Sequence, residues 1–112
     1  MTEPQTIRGR FAPSPTGPLH AGSLAAALAG YLVAKSQHGQ WLIRIEDLDP
    51  PREIPGMADR QLDDLAGFGL LSDLPVIRQS RRSEAYEAAL TQLLAQDKAF
   101  YCTCSRTQLQ EQ

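Results

Sequence analysis

Arg10-Phe11-Ala12-Pro13-Ser14-Pro15-Thr16-Gly17-Pro18-Leu19-His20-Ala21-Gly22-Ser23 joins an apolar stretch to an alanine-rich one, and the reading of this segment decides the fold. Between Pro13 and Gly22 there are three prolines and two glycines in ten residues. The prolines fix φ and the glycines free it, so the connection is expected to hold one shape. It ends where a helix begins. The first turn of a helix has backbone N–H groups without intrahelical partners and carries the positive end of the dipole, which suits an anion. His20, Ser14 and Ser23 add an imidazole and two small hydroxyls beside it.

Outward from this loop, Ile7 to Ala12 reads as a short strand, and the polar stretch Met1 to Thr6 before it as frayed. On the other side, Leu24, Leu28 and Leu32, with Ala25, Ala29 and Tyr31, recur at helical spacing, predicting a helix from about Leu19 to Gln37. Its many alanines allow close packing on a sheet. His38-Gly39-Gln40 ends it with glycine near the first position past the cap. Trp41 to Glu46 follows as a strand, with Trp41, Ile43 and Ile45 on one side and Leu42, Arg44 and Glu46 on the other. The result is a β-loop-α-β unit, a right-handed crossover between parallel strands.

Asp47 to Pro55 is an acidic, proline-bearing loop. Gly56 to Phe68 then reads as a helix with Met57, Leu62, Leu65 and Ala66 toward the core, ended by Gly67 and Gly69. Pro75 to Gln79 is a brief strand, Ser80 or Ser83 an N-cap, and Glu84 to Asp97 an amphipathic helix bearing Tyr86, Leu90, Leu93 and Leu94. Ala99 to Cys104 reads as extended. Ser105 to Gln112 restarts a polar helical pattern with no closing signal, so the chain is expected to continue in a parent sequence.

A length of 112 residues and an apolar share of 42% suit one modest core. Eleven basic against thirteen acidic residues neither advertise nor exclude an RNA partner, since a local basic face does not need a basic total. No signal peptide or membrane-length apolar run is evident, which makes the cytoplasm the expected location and a membrane partner unexpected. Cys102 and Cys104, one residue apart, would form a strained disulfide and read as thiols or metal ligands.

The motif His20-Ala21-Gly22-Ser23, preceded by Arg10 to Gly17, resembles the His-x-Gly-His signature of class I aminoacyl-tRNA synthetases, with serine in the fourth position, and the longer string resembles their glutamyl branch. That resemblance implies an α/β, Rossmann-like parallel sheet, here the N-terminal half of the family's catalytic domain. Adenylate formation builds charge on a pentacoordinate α-phosphoryl group, which a helix start, a histidine donor and a bare glycine backbone stabilise. His20, Gly22 and Ser23 are accordingly the expected catalytic residues, and Pro13, Thr16, Gly17, His20, Gly22 and Ser23 the expected ATP contacts. The bland reading is a proline-rich turn capping a structural helix, with His20 a polar cap.

Arg44-Ile45-Glu46-Asp47-Leu48-Asp49 ends the second strand, where open parallel sheets place their ligand crevice. Glu46 there suits an α-ammonium and Arg10 a side-chain carboxylate, a clamp for an acidic amino acid. Arg10, Phe11, Ala12, Pro13, Ser14 and Glu46 are the expected glutamate contacts. A solvated ion pair at a sheet edge is the alternative for Arg10 and Glu46. Asp47, Asp49 and Arg52 read equally as loop solvation, and Arg81-Arg82 as a solvated basic turn before as a phosphate contact.

Leu48-Asp49-Pro50-Pro51-Arg52, together with Gly22-Ser23, resembles the shorter paralogous family, the glutamyl-Q tRNA(Asp) synthetases. Membership implies L-glutamate, ATP with Mg²⁺, and tRNA(Asp) bearing queuosine as partners, and a monomer. Tyr101-Cys102-Thr103-Cys104 resembles the start of that family's zinc site, so Cys102 and Cys104 are half of a Zn²⁺ set whose other ligands, a tyrosine and a further cysteine, fall beyond Gln112. Residues 1–98 are then the front half of the nucleotide-binding domain and 99–112 the start of a zinc-binding insertion. The later lysine loop of the family is not in the sequence. A fragment of an ordinary glutamyl-tRNA synthetase and a non-enzymatic nucleotide- or RNA-binding module are the two rival expectations.

Overall fold

The computed structural model describes residues 5–111; Met1 to Pro4, part of the stretch expected to fray, and Gln112 lie outside the described residues. The chain forms two compact units, one up to Arg81 and one from Arg82 on.

In the first unit, β1 (Arg8–Phe11), α1 (Ala21–Ser36) and β2 (Gln40–Ile45) follow in order, then α2 (Met57–Gly67) and the two-residue β3 (Ile77–Arg78). The sheet has the order β1-β2-β3 and both pairings are parallel, as the βαβ reading requires. Gly9 lies opposite Trp41 and Phe11 opposite Ile43. On the other edge of β2, Arg44 pairs with Ile77 and Ile45 with Arg78.

Alternation along β2 sends Trp41, Ile43 and Ile45 to one face, where all three are buried. Ala27 and Ala34 of α1, Leu65 of α2 and Leu70 close over them, with Phe11, Leu24, Tyr31 and Leu62 at the margin. Trp41 is the centre of this core. It stacks on Phe11 at 6.4 Å between ring centroids and meets Tyr31 edge-on at 5.5 Å. Over that ring α1 places the small Ala27 and Ala34, with Leu24 and Tyr31 of the same line packed at its margin. The helix forms as the spacing predicts, and Leu28 and Leu32 lie exposed, because a helix apolar on nearly every side does not select its own face.

Three expectations are corrected. In α2, Gln61 is buried between Met57 and Leu65, while Ala66 is exposed. After α1, the left-handed residue is His38 (φ 54), and Gly39 is required by space instead, since a Cβ there would lie 2.4 Å from the Ile7 carbonyl oxygen. Neither serine caps the next helix: Ser80 is engaged by Asp47, and Ser83 already lies inside the helix, whose N-cap is Arg82.

The second unit holds α3 (Ser83–Ala95) and α4 (Arg106–Gln110). Tyr86, Leu90 and Leu93 of α3 are exposed and Leu94 half-buried. Ser105 and Gln108 form a reciprocal capping box at the start of α4. No helix among the described residues is long and apolar enough to cross a membrane.

Candidate functional site

The loop between β1 and α1 is held by its own carbonyl groups. Pro13 accepts from the Glu46 N–H at 2.9 Å and Pro15 from the Ile54 N–H at 3.0 Å. Ser14 and Gly17 accept from the Gln61 side-chain amide at 3.0 and 2.8 Å. The Thr16 N–H closes back on Ser14 at 2.9 Å. Three separate parts of the chain thus fix a turn already stiffened by proline.

The turn delivers the chain to α1 with His20 as N-cap. Its Nδ1 accepts the Ser23 N–H at 3.2 Å, which leaves the proton of the neutral ring on Nε2, free to donate outward. Glycine at residue 22 leaves the ring uncrowded, since a Cβ there would lie 3.0 Å from both Cε1 and Nδ1 of His20. Ala21 and Gly22, in the first turn, have N–H groups without intrahelical partners.

A cleft of about 450 Å³ opens beside this corner. Phe11, Pro13, Ser14, Thr16, Gly17, His20 and Ser23 of the expected residues line it, and Gln61 lines it as well. Arg10, Ala12, Gly22 and Glu46 are not part of that lining. Arg10 lies on β1 opposite Leu42, and Glu46 is four residues beyond Leu42, or about 13 Å along a strand. Glu46 is ion-paired with Arg44 at 2.7 Å, a partner two residues away on the same face of the chain. The alternation of β2 carries that signal, although the residue pattern alone sets Glu46 against Arg10.

Behind the cleft, the Asp47 carboxylate accepts the Ser80 N–H at 2.9 Å and its hydroxyl at 2.6 Å. Partial burial works to raise the Asp47 pKa, but the two Ser80 bonds and the nearby Arg78 charge outweigh it and hold the group below the ordinary carboxylate value. Asp49 pairs with Arg52 across the short 3₁₀ turn Pro50–Arg52. Cys102 and Cys104 are exposed free thiols. Among the described residues no group of three or more His, Cys, Asp or Glu could hold a metal ion, so the two thiols do not make a closed zinc site.

A parallel βαβ unit whose first strand runs through a pinned loop into a histidine-capped helix defines an α/β protein of the open parallel-sheet class. The chain belongs to the family described as tRNA synthetases class I (E and Q), catalytic domain, whose model matches residues 6–112. It is 63% identical over 101 residues to a protein of Xanthomonas axonopodis pv. citri named glutamyl-Q tRNA(Asp) synthetase, covering 90% of this chain and 34% of that protein. A Yersinia pestis protein of the same name is 55% identical over 109 residues, covering 97% and 34%. The glutamate tRNA ligase of Elizabethkingia meningosepticum, solved in complex with its amino acid, superposes with a TM-score of 0.79 at 34% identity, covering 96% of this chain and 23% of that one. The chain therefore spans about a third of the length of the curated relatives it matches.

Proposed function

We propose that this chain is the ATP- and glutamate-binding front of a ligase that activates L-glutamate as glutamyl-adenylate and transfers it to queuosine in tRNA(Asp). The observation that carries the reading is the pinned Pro13–Gly17 turn leading to the His20 cap. In the reaction a glutamate carboxylate oxygen attacks the α-phosphorus of ATP in line, an O–P bond forms, and the bond to the pyrophosphate oxygen breaks. The His20 Nε2–H and the first-turn amides stabilise the charge that develops on the α-phosphoryl oxygens. Mg²⁺ enters with ATP as part of the substrate. Arg10 holds the side-chain carboxylate and Glu46 the α-ammonium. Ser14, Thr16 and Ser23 supply polar contacts around them.

The names of the relatives, at 55% and 63% identity, support queuosine-bearing tRNA(Asp) as acceptor. Residues 1–98 belong in this reading to the nucleotide-binding domain and 99–112 to a zinc-binding insertion, in which Cys102 and Cys104 are two of four ligands. The cytoplasm is the corresponding location. Glutamate-dependent ATP–pyrophosphate exchange tests the first step, and charging of tRNA(Asp) with and without queuosine, beside tRNA(Glu), tests the second. Transfer to tRNA(Glu) identifies an ordinary glutamyl-tRNA synthetase instead. ATP binding without exchange identifies a nucleotide-binding module.

A further inference from the structure

Gln61 is 1% exposed and sits in the core-facing line of α2 between Met57 and Leu65. A buried amide is costly unless its hydrogen bonds are made. Here only half are: Nε2 donates to Ser14 and Gly17, while Oε1 is buried without a partner. The orientation follows from the contacts, since only the nitrogen can donate to two carbonyl oxygens. An apolar side chain would fill the same space but strip the Gly17 carbonyl of its Gln61 donor, while Ser14 would keep the Thr16 N–H. What the amide does that an apolar group cannot is join two carbonyls three residues apart, across the turn that borders the cleft.

We propose that Gln61 is a positioning residue for ATP: its two N–H groups set the curvature of the Ser14–Gly17 turn against which the nucleotide is received. The inference rests on the reading of the cleft as the ATP site. Gln61 differs from the other pins of the loop, which are backbone bonds that no side-chain substitution removes.

Gln61→Met deletes both donors at similar volume, and Gln61→Glu replaces them with a group that donates only when protonated. In the complete polypeptide, Gln61→Met is expected to raise KM for ATP about tenfold, the effect of one to two lost hydrogen bonds, while KM for glutamate stays within about twofold. The defect of Gln61→Glu is expected to shrink as pH falls, because the neutral acid regains one donor and the carboxylate repels both carbonyls. Amide hydrogen exchange at Thr16 is expected to quicken in Gln61→Met with α1 unchanged. A wild-type KM for ATP together with unchanged Thr16 exchange overturns the proposal, as do equal losses for both substrates with a pH-independent Gln61→Glu defect. Absence of exchange activity in the wild type counts against the function proposed above, and ATP affinity by calorimetry with Thr16 exchange then decides the role of Gln61 separately.

Discussion

Gly22→Ala separates the role of the His20 ring from that of the helix it caps. The added Cβ would stand 3.0 Å from Cε1 and Nδ1 of His20, well inside the ~3.5–4.0 Å of a comfortable carbon contact. The ring is the far end of a side chain, so it swings away and the backbone stays. Loss of its bond to the Ser23 N–H costs about 1 kcal/mol, as for other N-caps. Alanine in place of glycine returns up to about 1 kcal/mol of helix propensity. The two nearly cancel, and the melting midpoint is expected to move by less than about 5 °C. Catalysis has no such offset: a displaced donor costs about 10²-fold or more in turnover. Circular dichroism melting and glutamate-dependent pyrophosphate exchange measure the two effects on one sample. Gly30→Ala is the control in the same helix, because its Cβ would meet Trp41 Nε1 at an ordinary 3.6 Å. A Gly22→Ala protein with wild-type exchange refutes the role of the ring, and one melting more than about 10 °C lower shows that the backbone yields instead.

Gly39→Ala forces a Cβ to 2.4 Å from a backbone oxygen, and is expected to destabilise by about 3 kcal/mol or more in urea unfolding. Trp41→Leu empties the middle of the core and is expected to cost about 3 kcal/mol by the same measurement. The Asp73 carboxylate, bonded first to Lys35 and then to the Trp41 N–H, is held below its ordinary value against partial desolvation. A group whose folded pKa is depressed stabilises above the unfolded value and loses that contribution as pH falls through the folded one, so Asp73→Asn is expected to flatten the acid limb of stability below about pH 4. An unchanged acid limb in a pH series of melting curves removes this role.

The parallel βαβ unit was legible because β2 alternates cleanly and the proline-glycine loop gives way to an alanine-rich stretch with helical spacing. The face of α1 was not, since alanine and leucine fill nearly every position and Trp41 chooses among them from across the core. Gln61 escaped because a polar residue reads as a surface residue, although its place four residues from both Met57 and Leu65 marked it as core-facing. The Arg44–Glu46 pair was within reach of the same alternation that placed the strand. Asp73 could not be found from local pattern, because it serves Lys35 and Trp41, residues 38 and 32 positions away.

The donors that pin the β1–α1 loop come from far along the chain, with Gln61 separated from Ser14 and Gly17 by 47 and 44 positions. Contacts of such sequence separation carry the entropic cost of closing long loops. Pairing of β1 with β2 brings the Glu46 N–H to Pro13, but the Ser14 and Gly17 carbonyls gain their Gln61 donor only when α2 docks. Where the cleft receives ATP as proposed, nucleotide affinity reports that docking, and a bound nucleotide is expected to slow the local opening of α2 more than that of the sheet.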